Sequence, residues 1–172
     1  SKKIKSQKLR YSCAKINMKF FDIHSHVNLS PLSARKEEII KILEEKEIST
    51  ITVGTDYETS AKAIEITQKS ANLFAAVGFH PSDAGSKEFN IEKFRELASK
   101  EKIVAIGECG LDYFRIDAGD MVTKDLQKEI FNAQIYLALE KNLPLILHVR
   151  PQNGTMDAYE DVLEILERLE VQ

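Results

Sequence analysis

Cysteine and long apolar runs are scarce in this sequence. Its 172 residues contain only two cysteines, Cys13 and Cys109, which are too few for a disulfide framework. No apolar run approaches the roughly 20 residues that a membrane-spanning helix needs, and no signal peptide is apparent. We therefore expect a reduced, cytoplasmic protein that has no membrane partner.

The common nucleotide-binding motifs are missing as well. No G-x-G-x-x-G motif follows the first predicted strand and no P-loop motif occurs, which disfavours nucleotide binding of those types. The formal net charge of −3 argues against a large basic surface for nucleic acid. The same net charge is compatible with a small phosphate-binding cleft.

Residues 1–17 differ in composition from the rest of the chain. They are rich in Lys and Arg and lack a clear hydrophobic period, so we expect a disordered N-terminal extension. A basic arm that touches nucleic acid is the alternative. Residues 18–172 are expected to form one domain, because a chain with 43% hydrophobic residues can bury a sizeable core. Met18 is a candidate for the natural start.

Five short apolar segments alternate with amphipathic segments. The apolar segments predict strands that are buried on both faces; they end near His24 or cover 50–54, 73–79, 103–107 and 145–148. The other segments predict helices over about 34–46, 59–71, 91–100 and 157–169, and one with apolar Leu126, Ile130, Ala133 and Leu137. Asn90 is a predicted N-cap and Asn142 a predicted helix end. This alternation is typical of a parallel α/β sheet.

The first predicted strand ends in a His-x-His pair. Residues i and i+2 of a strand point to the same side, so His24 and His26 can bind one metal ion through neutral imidazole nitrogens. A single pair is a weak signal, because two hydrogen-bonded polar residues at a strand end would give the same pattern. The positions of the other candidate ligands therefore decide the question.

All four histidines and one glutamate share a location. His24, His26, His80 and His148 fall at or just past the carboxyl end of a predicted strand, and so does Glu108. In parallel α/β proteins this end carries the active site. Histidines scattered through a core would not share one end of the sheet, so the pattern favours a metal site.

Each of the later candidates has a structural alternative. Burying the Glu108 carboxylate without a partner would be costly, so a cation is expected there, and a carboxylate that bridges two metals suits that need. His148 is a metal ligand or a strand-end histidine bonded to a carbonyl. His80 contacts a phosphate or orders its loop, and Arg150 binds a phosphate or pairs with a nearby acid. Asp112 is expected to support the loop or a histidine rather than bind metal.

Five segments and one helix motif carry a family resemblance. They are FFDIHSHV, VGTD, AAVGFHPSD, VAIGECGLDYFR and LPLILHVR, with Q-x-x-x-F-x-x-Q before the last. In this order and spacing, from about Met18 to the C-terminus, they resemble the TatD family of metal-dependent hydrolases of the amidohydrolase type. GECGLDYFR is the most specific of these motifs.

The resemblance implies a (β/α)8 TIM barrel that hydrolyses phosphodiester bonds, commonly in DNA from a 3′ end. It also implies two divalent metal ions, held by His24 and His26, by a bridging Glu108, and by His148. His80 and Arg150 match positions that contact substrate phosphate. Histidine and carboxylate ligands suit Zn²⁺ or Mn²⁺ and tolerate Mg²⁺, so the sequence leaves the metal open.

The sequence departs from the family pattern in its strand count. Five β-α units are predicted instead of eight, whereas a TIM barrel typically needs about 250 residues. The pattern's further histidine and its catalytic aspartate have no counterpart, so the catalytic residue is unassigned and the aspartate is expected beyond Gln172. We expect an incomplete barrel that is inactive or weakly active, and poorly soluble or self-associated because its strand edges are open.

Two other functions fit the same residues. The metal site of an amidohydrolase relative can hydrolyse an ester, lactone or amide of a small molecule. A truncated barrel can also bind metal or a partner without turnover. No protein partner is indicated by the sequence.

Overall fold

The computed structural model describes residues 18–117 and 119–171, so the predicted basic extension over 1–17 lies outside the described residues. Within them, five strands alternate with five α-helices, in the order β1 Phe20–Ser25, α1 Lys36–Glu45, β2 Ile48–Val53, α2 Tyr57–Thr67, β3 Leu73–Val77, α3 Ile91–Leu97, β4 Ile103–Asp112, α4 Met121–Lys141, β5 Leu145–Arg150 and α5 Asp157–Arg168. None of the helices within these ranges is long and apolar enough to cross a bilayer.

The strands form one parallel sheet whose order follows the chain, β1-β2-β3-β4-β5. A doubly wound sheet reverses its strand order at one point, whereas a (β/α)8 barrel adds each strand beside the previous one. The described strands follow barrel winding. The prediction of an α/β fold of the TIM-barrel type, built from five β-α units, is confirmed.

Both faces of the central strands are apolar. Val77 of β3 packs with Phe94 of α3 in the layer between the sheet and the helices, and Leu111 of β4 packs with Phe131 of α4 in the same layer. On the opposite face, a separate cluster contains Ile51, Val53, Ala76 and Ala105. Because side chains alternate along a strand, apolar layers on both faces require continuous apolar segments. This explains why the predicted strands appear as continuous apolar runs in the sequence.

Two asparagines mark helix ends as predicted. The Asn90 side chain caps α3 by accepting a hydrogen bond from the Glu92 backbone N–H at 3.0 Å. Asn142 ends α4 in the left-handed conformation, with φ of 53°, which asparagine tolerates better than most residues.

The first strand is less buried than predicted. Phe20 and Ile23 are 66% and 69% exposed. Among the described strands, β1 pairs only with β2 and so lies at the edge of the sheet. The expectation of a strand buried on both faces is therefore wrong for β1, because an apolar run does not reveal whether a strand is central or at an edge.

The fourth strand is longer than predicted, since it runs to Asp112 instead of ending at 107. Gly107 and Gly110 resemble turn residues in the sequence, but they allow β5 to approach closely. A Cβ at 107 would lie 2.4 Å from the Ile146 carbonyl oxygen, and one at 110 would lie 2.2 Å from the His148 carbonyl oxygen. These glycines thus permit the pairing that places β4 beside β5.

Asp157 at the start of α5 gives a test of pH-dependent stability. Burial disfavours its charged form, but hydrogen bonds from the Lys124 ammonium at 2.9 Å, the Thr155 hydroxyl at 2.7 Å and the Gln152 backbone N–H at 3.1 Å lower the pKa of Asp157 to about 2. A folded-state pKa below the unfolded value of 3.8 means that this carboxylate stabilises the fold above about pH 4 and that the effect is lost towards pH 2.

We therefore expect the variant D157N to have a lower free energy of unfolding than the wild type at pH 7. The two proteins should converge as the pH falls from about 4 to about 2. Urea unfolding followed by far-ultraviolet circular dichroism measures this difference. The same difference at both ends of the pH range would contradict a role for the Asp157 charge.

Candidate metal centre

The four histidines and Glu108, which were predicted to bind metal or phosphate, come together in the structure. His24 lies in β1 and His26 directly follows it, while His148 lies in β5. His80 follows β3 and caps the short 3₁₀ turn Pro81–Asp83. Glu108 lies inside β4 rather than at its end, which corrects the predicted strand boundary without moving the residue away from the histidines.

One oxygen of the Glu108 carboxylate faces a first pair of histidines. Its Oε2 lies 3.3 Å from His24 Nε2 and 3.8 Å from His26 Nε2. The two histidine Nε2 atoms are 3.3 Å apart. Two ligands held about 2.1 Å from a tetrahedral ion would be about 3.4 Å apart. The spacing and chemistry of this group therefore fit one divalent ion.

The other carboxylate oxygen faces a second pair. Glu108 Oε1 lies 3.1 Å from His148 Nδ1 and 3.8 Å from His80 Nε2, and the two imidazole centroids are 4.1 Å apart. From its sequence position, His80 was expected to contact a phosphate or to order its loop. The structure adds a third possibility, since His80 joins His148 and Glu108 in a group that can hold a metal.

The meeting of β1 and β4 requires a curved sheet. These strands are three steps apart, which is about 14 Å in a flat sheet at 4.7–4.9 Å per step. His24 of β1 nevertheless reaches Glu108 of β4 at 3.3 Å. The site therefore lies on the concave face, at the carboxyl ends of the strands, where barrel enzymes carry their active sites.

Three of the histidines have one ring nitrogen engaged by the protein and the other directed at Glu108. His26 Nδ1 lies 3.0 Å from the Val53 carbonyl oxygen, and His80 Nδ1 accepts a hydrogen bond from the Ser82 backbone N–H at 3.1 Å. Such contacts fix the ring orientation of metal-binding histidines. The His80–Ser82 contact also shows that His80 orders its own loop.

Asp112 fixes the ring orientation of His148 in the same way. Its Oδ2 lies 3.0 Å from His148 Nε2, and its Oδ1 accepts a hydrogen bond from the Phe114 backbone N–H at 3.2 Å. Asp112 is 4% exposed, so its carboxylate is held between β4 and β5. This is the contact expected of a residue that orients a histidine and does not bind metal directly.

Two buried glutamines of α4 hold the backbone beside the site, a role that the sequence analysis missed. Gln134 Oε1 accepts from the Phe79 N–H at 2.8 Å and its amide donates to the Phe79 carbonyl at 3.0 Å. Gln127 makes the same two bonds with the backbone of Asp112, at 2.8 and 3.0 Å. Their i, i+7 spacing placed both on one helix face, which was the available signal.

Arg150 has no acidic partner among the described residues. Its guanidinium lies over the Phe114 ring, 3.7 Å from the centroid, and no ion pair joins it to any carboxylate of residues 18–117 or 119–171. The alternative that Arg150 pairs with a nearby acid is therefore not what these residues show. The phosphate-contacting role stays a prediction.

The surroundings of the site stabilise the charged forms of Glu108 and His148. Burial opposes ionisation of Glu108, but its hydrogen bond with His148 and the charges of His80 and His24 outweigh burial, and the pKa of Glu108 is lowered. The Glu108 hydrogen bond raises the pKa of His148 against the effect of burial, with support from Asp112. Burial, followed by the charge of His148, lowers the pKa of His80. A metal ligand must be neutral imidazole, so a cation bound here would compete with protonation of His148.

The family profile described as TatD related DNase matches residues 21–172. The uncharacterized metal-dependent hydrolase YabD of Bacillus subtilis strain 168 is 41% identical over 148 residues, which cover 85% of this chain and 54% of YabD. The 3′-5′ ssDNA/RNA exonuclease TatD of Escherichia coli K12 is 28% identical over 149 residues, which cover 86% of this chain and 54% of that protein.

A solved structure shares the fold. The crystal structure of YjjV, a TatD homolog from Escherichia coli K12, superposes with a TM-score of 0.71 at 26% identity and covers 87% of this chain and 55% of that one. The chain spans about half the length of the curated relatives it matches. Since the profile match runs from β1 through α5, this chain belongs to the TatD-related DNase family.

Proposed function

We propose that this chain carries the metal centre of a hydrolase that cleaves phosphodiester bonds in nucleic acid from a 3′ end. One observation carries the proposal: the single carboxylate of Glu108 faces two histidine pairs, one through each oxygen. A carboxylate in that position suits a bridge between two cations. The names of the relatives support nucleic acid as the substrate.

The proposed ligands form two groups around Glu108. His24 and His26 would hold one ion, and His148 would hold the other, with His80 close enough to join it. Imidazole and carboxylate ligands suit Mn²⁺ or Zn²⁺ more than Mg²⁺. When bound, divalent ions supply Lewis acidity that activates water and neutralises charge on a phosphoryl oxygen.

The chain's own residues would orient these groups and receive the phosphate. Asp112 holds the His148 ring with Nδ1 towards Glu108, and Ser82 holds the His80 ring. Arg150 lies two residues beyond His148 on β5, and the guanidinium geometry matches two phosphate oxygens. The catalytic residue stays unassigned among these residues.

The test measures metal stoichiometry and end preference separately. Calorimetric titration of this chain with Mn²⁺ should show two ions, and the double variant H24A/H26A should bind one. The product of the whole gene should release label from 3′-labelled single-stranded DNA before 5′-labelled DNA, in a Mn²⁺-dependent reaction. Turnover of small esters or lactones without turnover of DNA would overturn the nuclease proposal, and one ion in the parent chain would overturn the two-metal proposal.

A further inference from the structure

Phe114 and Arg150 form a second feature next to the metal centre, which we call the Phe114–Arg150 platform. The Arg150 guanidinium lies 3.7 Å from the centroid of the Phe114 ring. Phe114 is nevertheless 49% exposed, whereas the preceding Tyr113 is fully buried. Packing against the core therefore does not account for this ring.

The platform is connected to the metal centre through one carboxylate. Asp112 accepts the Phe114 backbone N–H at 3.2 Å with Oδ1 and contacts His148 at 3.0 Å with Oδ2. Arg150 pairs in register with Asp112 across β4 and β5. The position of the ring is thus coupled to the position of a proposed metal ligand.

Arg150 shares the concave face with the metal centre. Leu145 and Val149 of β5 pack in the layer under the helices, whereas Ile146 packs in the cluster on the opposite face. Side chains alternate along a strand, so His148 and Arg150 lie on the same side as Ile146. Two residues span about 6.6 Å along a strand, which is within the reach of one nucleotide.

The Arg150 guanidinium also has free hydrogen-bonding capacity. Across the described part of the chain, no acceptor is bonded to its side chain and no carboxylate is paired with it. A guanidinium carries five N–H donors, and here they belong to a partly buried positive charge beside an aromatic ring that is 49% exposed. Phosphate and a stacked base are the two chemical groups that such a pair recognises together.

We propose that the Phe114–Arg150 platform is a subsite for single-stranded nucleic acid, in which a base stacks on Phe114 and the adjacent phosphate binds Arg150. The inference rests on the proposed nuclease function and adds a structural basis for strand selection. Bases in a duplex are already stacked and paired, so their faces are not available to the ring. An unpaired strand end offers the face without that cost.

Binding of two strands that differ only in their bases tests the subsite. Fluorescence anisotropy would compare oligo(dT) with an abasic strand of equal length, both with phosphorothioate linkages that resist hydrolysis, in the presence of Mn²⁺. We expect F114L to weaken oligo(dT) binding about tenfold and to leave abasic binding nearly unchanged, because only oligo(dT) offers a base that can stack on the ring. F114W should restore oligo(dT) binding, and R150Q should weaken both strands.

Tyr136 provides a matched control for Phe114. Y136L removes a similarly exposed ring, 58% accessible on α4, and should bind both strands like the parent. If F114L affects both strands equally or neither, the platform is refuted while the nuclease proposal stands. If the parent chain binds neither strand, the platform and the nucleic-acid proposal fail together. Circular dichroism confirms that each variant is folded.

Discussion

The variant E108Q is expected to bind Mn²⁺ at least about 100-fold more weakly than the parent and to lose the two-ion stoichiometry. Changes in residues that only orient metal ligands already cost 10–100-fold in affinity, and Glu108 faces both proposed ions. Its Oε2 faces His24 and His26, and its Oε1 faces His80 and His148. A neutral amide in this position offers one weaker oxygen ligand in place of two charged ones.

Isothermal titration calorimetry with Mn²⁺ measures the affinity and the number of ions. E129Q is a matched control, because Glu129 is an exposed residue of α4 and the same chemical change there should leave metal binding intact. The E108Q fold should persist, since glutamine keeps the shape and removes a half-buried charge. Retention of two ions with parent-like affinity would refute Glu108 as the bridging ligand.

The variant Q134M is expected to lower the free energy of unfolding by about 2–6 kcal/mol. Gln134 is 1% exposed and bonds both backbone groups of Phe79, itself 1% exposed. Methionine has a similar volume but leaves that N–H and carbonyl without partners, at about 1–3 kcal/mol for each buried group. The unfolding temperature should fall by roughly 10 °C in a domain of this size. The loss is large beside a total stability of about 5–15 kcal/mol.

Thermal and urea unfolding measure this loss, and Mn²⁺ titration measures its consequence. Phe79 precedes His80, so a displaced backbone should also weaken binding at the His80 and His148 group. Q68M provides the control, since Gln68 is exposed at the end of α2 and should shift stability by less than about 0.5 kcal/mol. A Q134M stability within that margin would show that the two hydrogen bonds carry little of the fold's stability.

Local signals determined where the candidate ligands lie along the strands. Apolar runs of strand length placed His24, His26, His80 and His148 at or past strand ends. In the structure His26 and His80 follow their strands, whereas His24 and His148 lie within the last three residues of β1 and β5. Parallel strands joined by helices must leave their carboxyl ends on one edge of the sheet, so a common location followed without any distance information. The N-cap of α3 was also predictable from local sequence, because the Asn90 side chain accepts a hydrogen bond from the Glu92 backbone N–H in the first turn of the helix.

Only the tertiary structure decided how those residues meet. Curvature of the sheet brings β1 to β4, and it sets which Glu108 oxygen faces which histidine pair. The glutamines of α4 bond to backbone 15 and 55 residues away, and Arg150 stacks on Phe114 instead of pairing with an acid. The exposure of β1 depends on which strands flank it. A sequence pattern records the period of each segment, whereas these contacts depend on distances between segments far apart in the chain, and packing alone sets those distances.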